Sequence, residues 1–228
     1  MENFWQVVTL LFTADGSGLR HIIGLTLKMS FFSTAISTLI GMPLGILIGS
    51  RDFRWKKHVV RITHTLMGLP PVVAGLIVYL ILSRNGPLGS FQLIYSVQAM
   101  IIAQVVLITP IVCGLSTSIA SIRAPQLLET TRGFGMRKTK EVWLLLYENR
   151  TQLLSVLMMA FGRSIAEVGA VQIVGGNIQD KTRVMTTAIM LETNKGNFEY
   201  AIILGVVLLL LALVVNSIAP ILQEKNYD

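Results

Sequence analysis

Between Asn85 and Ile122 the chain carries no charged side chain, and between Met29 and Ser50 it carries no ionisable one. A helix rises about 1.5 Å per residue, so the second stretch alone reaches about 33 Å, against a bilayer hydrocarbon core of about 30 Å. Ile62–Ser83 holds only His64, Thr151–Gly176 is apolar apart from Arg163 and Glu167, and Ala201–Gln223 is dominated by Leu, Val and Ile. Asn85, Gly86, Pro87 and Gly89 make the start of the longest stretch a turn, which leaves residues 84–97 as a loop. The pattern predicts an all-α polytopic membrane protein. Its five transmembrane helices fall at about residues 26–50, 60–83, 98–120, 152–175 and 200–221, within a single membrane domain over 1–228. With 53% hydrophobic against 14% charged residues, a disordered chain and an ordinary soluble enzyme are both excluded. Phe4–Phe12 is apolar but too short to cross, and reads as an interfacial helix with Trp5 at headgroup level.

The net charge of +7 has two readings, a nucleic-acid surface or basic cytoplasmic loops. Position separates them. Arg51, Arg54, Lys56, Lys57 and Arg61 lie between the first two spans, Arg123, Arg132, Arg137, Lys138, Lys140 and Arg150 between the third and fourth, and Lys225 in the tail. The opposite side has half as many: Arg20, Lys28, Arg84, Lys181, Arg183 and Lys195. The positive-inside rule therefore predicts the N-terminus outside and the C-terminus inside, with membrane lipid rather than nucleic acid as the surrounding partner.

Within the spans, Gly41, Gly45 and Gly49 repeat every four residues and mark a face where another backbone can approach, in a static helix pair or a moving one. Pro43, Pro70, Pro71 and Pro110 each remove a backbone donor and favour a kink. Arg163 and Glu167 are the only charges inside a span. Their i, i+4 spacing places them on one face of the fourth span, where they either form a structural pair or line an aqueous path. The run Gly162–Ala170 mixes small and polar residues, which predicts a central position for this span.

Nothing in the sequence is equipped for chemistry. It has no G-x-x-x-x-G-K-[ST] phosphate loop, no H-E-x-x-H and no G-x-S-x-G, and His21, His58 and His64 are neither clustered nor at ligand spacing. Cys113 stands alone in an apolar run. No enzymatic activity, metal or cofactor is expected, so directed transport would draw on a gradient or on another subunit.

The segment 121–150 is too long for a simple turn. Pro125 is expected to open a helical stretch over 126–132, interrupted by Gly133 and Gly135, and a second helix places Val142, Leu145, Leu146 and Asn149 on one face. A helix, hinge, helix element at the cytoplasmic rim is either a solvated amphipathic loop or a docking surface. Here the sequence resembles the membrane subunit of an ATP-binding cassette importer, whose cytoplasmic motif is Glu-Ala-Ala, three residues, Gly, nine residues, Ile-x-Leu-Pro. Glu129, Thr130, Thr131 and Gly135 stand at its first positions, with Gly133 between; Leu145 stands for Ile, and Tyr147 and Glu148 depart from Leu-Pro.

Leu69–Gly75 and the run Gly162–Gly176 are similar to the permeases of molybdate, sulfate and tungstate importers. The continuation through Asn177, Ile178 and Thr182–Ile189 to Thr193 looks most like the tungstate branch. The resemblance implies a type I importer permease in the cell's inner membrane, a second copy of the chain forming the path, two ATPase subunits below and an extracytoplasmic oxyanion-binding protein. It makes 121–150 the coupling loop and Arg163, Ser164, Glu167, Gly169, Asn177, Thr186 and Thr187 candidates for the pathway or its central helix. Molybdate or sulfate import is the alternative within the class; a gradient-driven transporter, or a membrane scaffold that moves no solute, stands outside it.

Overall fold

The computed structural model describes residues 17–133 and 138–224, without the side chains at 17, 126, 128–133, 138, 139 and 218–224. Phe4–Phe12 and Gly135 thus lie outside the described residues. Those described form nine α-helices and no strand: α1 (Ser17–Ser50), α2 (Lys56–Met67), α3 (Pro71–Leu82), α4 (Val97–Gly133), α5 (Lys138–Glu148), α6 (Arg150–Ile165), α7 (Gly169–Gly175), α8 (Met185–Asn194) and α9 (Phe198–Glu224). A 3₁₀ turn, Gly89–Phe91, sits between α3 and α4.

Three stretches are long and apolar enough to cross a membrane unbroken: Gly18–Ser50, Val97–Pro125 and Phe198–Ser217. The other two expected spans are broken pairs. Lys56–Met67 and Pro71–Leu82 bend by 100°, and Arg150–Ile165 and Gly169–Gly175 by 54°, so the count among the described residues is three, or up to five if each pair is one span. The first break has a local cause. Leu69 precedes a proline and is pushed out of the helical region, Pro70 is extended (φ −62°, ψ 129°), and Pro71 restarts the helix at the first position, where its missing N–H costs nothing.

Two further expectations are revised. Pro125 does not open a separate helix: α4 runs on through Pro110 and Pro125 to Gly133, so the expected loop at 121–150 begins with thirteen residues of the same helix. A proline inside a helix removes one hydrogen bond, and hydroxyls nearby stay within the helical pattern by bonding back to it, Thr117 Oγ1 to the Cys113 carbonyl (2.8 Å) and Ser121 Oγ to the Thr117 carbonyl (2.7 Å). The second revision is α8, which the polar 176–200 region did not announce.

The residues group into two units. One comprises residues 1–33, 70–104 and 162–215, and its main core joins Met29 of α1, Val78 and Leu82 of α3, Ala99, Met100 and Ala103 of α4, and Ala170, Val171 and Val174 of α7. Around α8 and α9, Met185 packs with Val207, and Ala188 with Leu204. The other comprises 34–69, 105–161 and 216–228. There Ile46 of α1, Ala120 and Ala124 of α4, Leu145 of α5 and Leu153 of α6 form one cluster, and Ile108, Val112, Val156 and Ala160 another.

In the second unit the glycine ladder forms the seam between α1 and α4. A Cβ on Gly45 would run into the Cys113 carbonyl and lie 2.6 Å from Ser116 Cβ; one on Gly49 would lie 2.6 Å from Ala120 Cβ. In lipid, helices gain nothing by hiding apolar surface from each other, so association depends on such close backbone approach. The buried Ser37 and Ser116 hydroxyls find no hydrogen-bond partner among the described residues, consistent with their selection for small volume. Gly45→Ala should therefore destabilise the protein by about 1–3 kcal/mol through overpacking, read as a lower melting temperature in detergent. Gly24→Ala, where a Cβ meets nothing within 4 Å, should leave it unchanged or slightly raised.

Candidate functional site

The second break, between α6 and α7, brings most of the expected site residues together. Glu167 sits in the break, past the end of α6, rather than one turn along a continuous helix from Arg163. The two still pair, Arg163 Nη2 to Glu167 Oε2, at 3.5 Å. The other carboxylate oxygen, Oε1, accepts the Ala170 N–H at 3.2 Å and so satisfies one of the free donors at the start of α7. The Glu167 carbonyl in turn accepts from Thr186 Oγ1 of α8 (2.9 Å). One acidic residue thus ties α6, α7 and α8 at the point where the span is broken.

The surroundings of this pair are unequal. Glu167 is 2% exposed and the Arg163 side chain 42%. A guanidinium has five N–H donors, and the single long contact with Glu167 leaves most of them facing open space. Of the residues at the break, Arg163 alone combines a charge with free surface. Ser164, Thr186 and Thr187 are buried and hold helices rather than face outward.

Both broken spans contribute to the same contact. A Cβ at Gly169 would lie 3.0 Å from Val72 Cγ2, and one at Gly75 only 2.7 Å from Ala170 Cα. The first turn of α3, after Pro70 and Pro71, therefore packs on the first turn of α7, with glycine on each side where no side chain fits. Broken helices are tolerated at membrane depth where neighbours satisfy the freed backbone or where they line a cavity.

Below this contact lies a polar cluster that the sequence reading did not single out. Gln104 of α4 is fully buried. Its Oε1 accepts from Ser33 Oγ of α1 (2.7 Å) and Ser164 Oγ of α6 (3.1 Å), and its Nε2 donates to the Ser164 carbonyl (2.9 Å). The two hydroxyl oxygens are 2.9 Å apart. The available signal was an amide isolated in the run Ala99–Ile108, where a lipid-facing position would cost several kcal/mol.

Asn177 and Thr187 belong to the far end of α7. Gly176 and Asn177 both adopt left-handed backbone (φ 68° and 52°) and turn the chain out of the helix. Asn177 Nδ2 donates to the Thr187 carbonyl (3.4 Å) and its Oδ1 accepts from Arg183 Nε (3.2 Å). Thr187 Oγ1 accepts the Val184 N–H (3.1 Å) and caps α8, while the Met185 N–H donates to Thr26 Oγ1 of α1 (3.0 Å). This is a scaffold of satisfied turns.

Of the expected coupling residues, Glu129, Thr130, Thr131 and Gly133 occupy the C-terminal end of α4, and Gly135 lies outside the described residues. The adjoining α5 buries Leu145, with Asn149 buried just past its end, and exposes Trp143 and Tyr147, whose rings stack 5.8 Å apart at 8°, with Arg150 4.7 Å from the Tyr147 ring centre. The sequence reading took only the buried face of this helix, since the outer aromatics interrupt its charged pattern.

The Gln104 cluster is testable by a mutant cycle. Gln104→Leu takes the amide acceptor from the Ser33 and Ser164 hydroxyls and the donor from the Ser164 carbonyl, leaving the hydroxyls only each other and the Ser30 carbonyl, and should cost about 1–2 kcal/mol. The combination Ser33→Ala, Gln104→Leu, Ser164→Ala removes all the partners together and should cost less than the sum of the single changes, as measured by thermal unfolding in detergent.

Comparison with known proteins places this arrangement. Residues 41–226 match the family model described as "Binding-protein-dependent transport system inner membrane component". The chain is 38% identical over 224 residues to the tungstate uptake system permease of Peptoclostridium acidaminophilum, covering 98% of each chain. It is 41% identical over 227 residues to the tungstate uptake system permease of Campylobacter jejuni, covering 98% of this chain and 93% of that one. Its fold is similar to that of a bacterial ABC transporter involved in the import of the acidic polysaccharide alginate, with a TM-score of 0.70 at 18% identity, over 96% of this chain and 83% of the other. The chain belongs to the family of inner-membrane components of binding-protein-dependent transport systems, and is the multi-pass permease subunit of an ATP-binding cassette importer.

Proposed function

We propose that this permease imports tungstate. The observation that carries the reading is the likeness, over nearly the whole chain, to two permeases named for tungstate uptake. Two copies of the chain enclose the path, two ATPase subunits engage it from the cytoplasm, and an extracytoplasmic binding protein delivers the oxyanion. The N-terminus is outside and the C-terminus inside, which puts Arg51–Arg61 and the 121–150 segment on the ATPase side. Glu129, Thr130, Thr131, Gly133 and Gly135 form the coupling element, and closure of the ATPase dimer on ATP draws the two coupling elements together and turns the path outward.

Arg163 faces the path. Its free donors offer a tetrahedral dianion a cationic contact, and Glu167 behind it keeps that contact from becoming a trap, since a conducted anion must leave as readily as it enters. Glu167, Ser164, Thr186 and Thr187 support this helix break from behind. Asn177 and Arg183 hold the turn beyond α7, on the side where the binding protein docks.

Cellular tungsten, molybdenum and tracer sulfate, compared with and without this chain at scarce supply, test the substrate: loss of tungsten accumulation alone is expected. Loss of molybdenum or sulfate uptake instead would keep the importer and replace its cargo. Orientation and coupling are read together by cysteine labelling. Gly135→Cys should react with an impermeant thiol reagent only from the cytoplasmic side and be shielded when the ATPase subunit is bound, whereas Lys195→Cys should react from outside. The reverse labelling pattern, or no shielding, would overturn the arrangement.

A further inference from the structure

α2 buries none of its twelve residues. Its two sides differ in chemistry. Lys57, Arg61 and His64 lie along one side and, with Lys56 and with Ser121 of α4, line an open groove of about 850 Å³. Helical spacing turns Ile62 and Leu66 to the opposite side, and both are exposed, Ile62 at 58%. Trp55, just before the helix, is exposed as well, its ring 5.7 Å from that of His58.

The groove's charges are not all available. Lys56 Nζ donates to the Gly49 carbonyl at the end of α1 (3.1 Å) and pairs with Asp52 (3.0 Å), so the one carboxylate in the groove is already matched. Lys57 and Arg61 have no ion-pair partner among the described residues. The groove therefore carries an uncompensated positive charge, and the exposed apolar surface lies on the opposite side of the same helix.

We propose that this groove holds the phosphate of an anionic phospholipid, with α2 lying in the headgroup layer. A free oxyanion would need only the cations. Lys57 and Arg61 on one side of α2 and exposed Ile62 and Leu66 on the other are the division of a helix that lies with its apolar side at the acyl boundary and its cations among the phosphates. The first lining residue of the groove, Asp52, comes two residues after α1 ends its apolar stretch at Ser50, where a span that leaves the hydrocarbon reaches the lipid phosphates. The proposal rests on the chain's membrane location and not on its cargo, so a change of substrate would leave it standing.

The test is native mass spectrometry of the permease with its ATPase subunit, released from phosphatidylcholine nanodiscs made with and without phosphatidylglycerol. The wild-type complex should retain phosphatidylglycerol in preference to phosphatidylcholine. Lys57→Gln with Arg61→Gln should weaken that retention roughly tenfold to thirtyfold, and the charge-preserving Lys57→Arg with Arg61→Lys should keep it. Wild-type protein that retains the two lipids equally would overturn the proposal without recourse to any variant. So would a double Gln variant that binds like wild type, or displacement of phosphatidylglycerol by inorganic phosphate, which would mark a site for free anions. Ready disulfide formation between copies carrying Ile62→Cys would assign the helix face to a second copy instead, and would equally overturn it.

Discussion

A helix broken inside a bilayer frees backbone groups that no water is present to satisfy, and everything near the candidate site follows from how this chain satisfies them. At the α6–α7 break one residue takes part at two points. Glu167 accepts the Ala170 N–H with its side chain and the Thr186 hydroxyl with its carbonyl, while Arg163 offsets its charge. A neutral residue could take over part of the capping, but it would leave Arg163 without a counter-charge at membrane depth. The break, the ion pair and the docking of α8 are therefore one structural event. Its outward result is an arginine held in place from one side and open on the other.

The contacts around that event use absence of side chain as much as presence. Gly75 and Gly169 allow α3 and α7 to meet through their first turns, and Gly45 and Gly49 do the same for α1 and α4. Without a hydrophobic driving force between helices, dispersion contacts and a few hydrogen bonds must hold the spans together. The Ser33, Gln104 and Ser164 cluster supplies such bonds among α1, α4 and α6. A permease needs contacts of this kind, specific in register yet modest in strength, if its helices are to shift between two arrangements during transport.

Much of this was legible in the sequence, and the exceptions have physical causes. The proline pair at 70 and 71 announced its break because the geometry of proline is local. The break at 166–168 carries no such mark: Ile165, Ala166, Glu167 and Val168 contain no helix breaker, and what interrupts the helix there is the set of bonds to Glu167 together with the glycine contacts to α3. Pro125 erred in the opposite direction, since the helix start expected there is absorbed into the continuation of α4 to Gly133. Spacing put Arg163 and Glu167 on one face, as a structural pair or as the lining of a path, but not which of them would be buried.

The sequence by itself determined that this chain lives in a membrane, because long charge-free stretches admit no other solvent, and its motif-like segments pointed to an importer permease. Spacing likewise placed the glycine ladder on one helix face. Only the tertiary structure decided that the α6–α7 span is a bent pair, that Gln104 is a junction of three helices, and that Glu167 is enclosed while Arg163 is open. Those outcomes depend on which groups meet across sixty or more residues of chain. Local propensity has no information about such meetings, and the cost of an unsatisfied polar group in lipid is what fixes them.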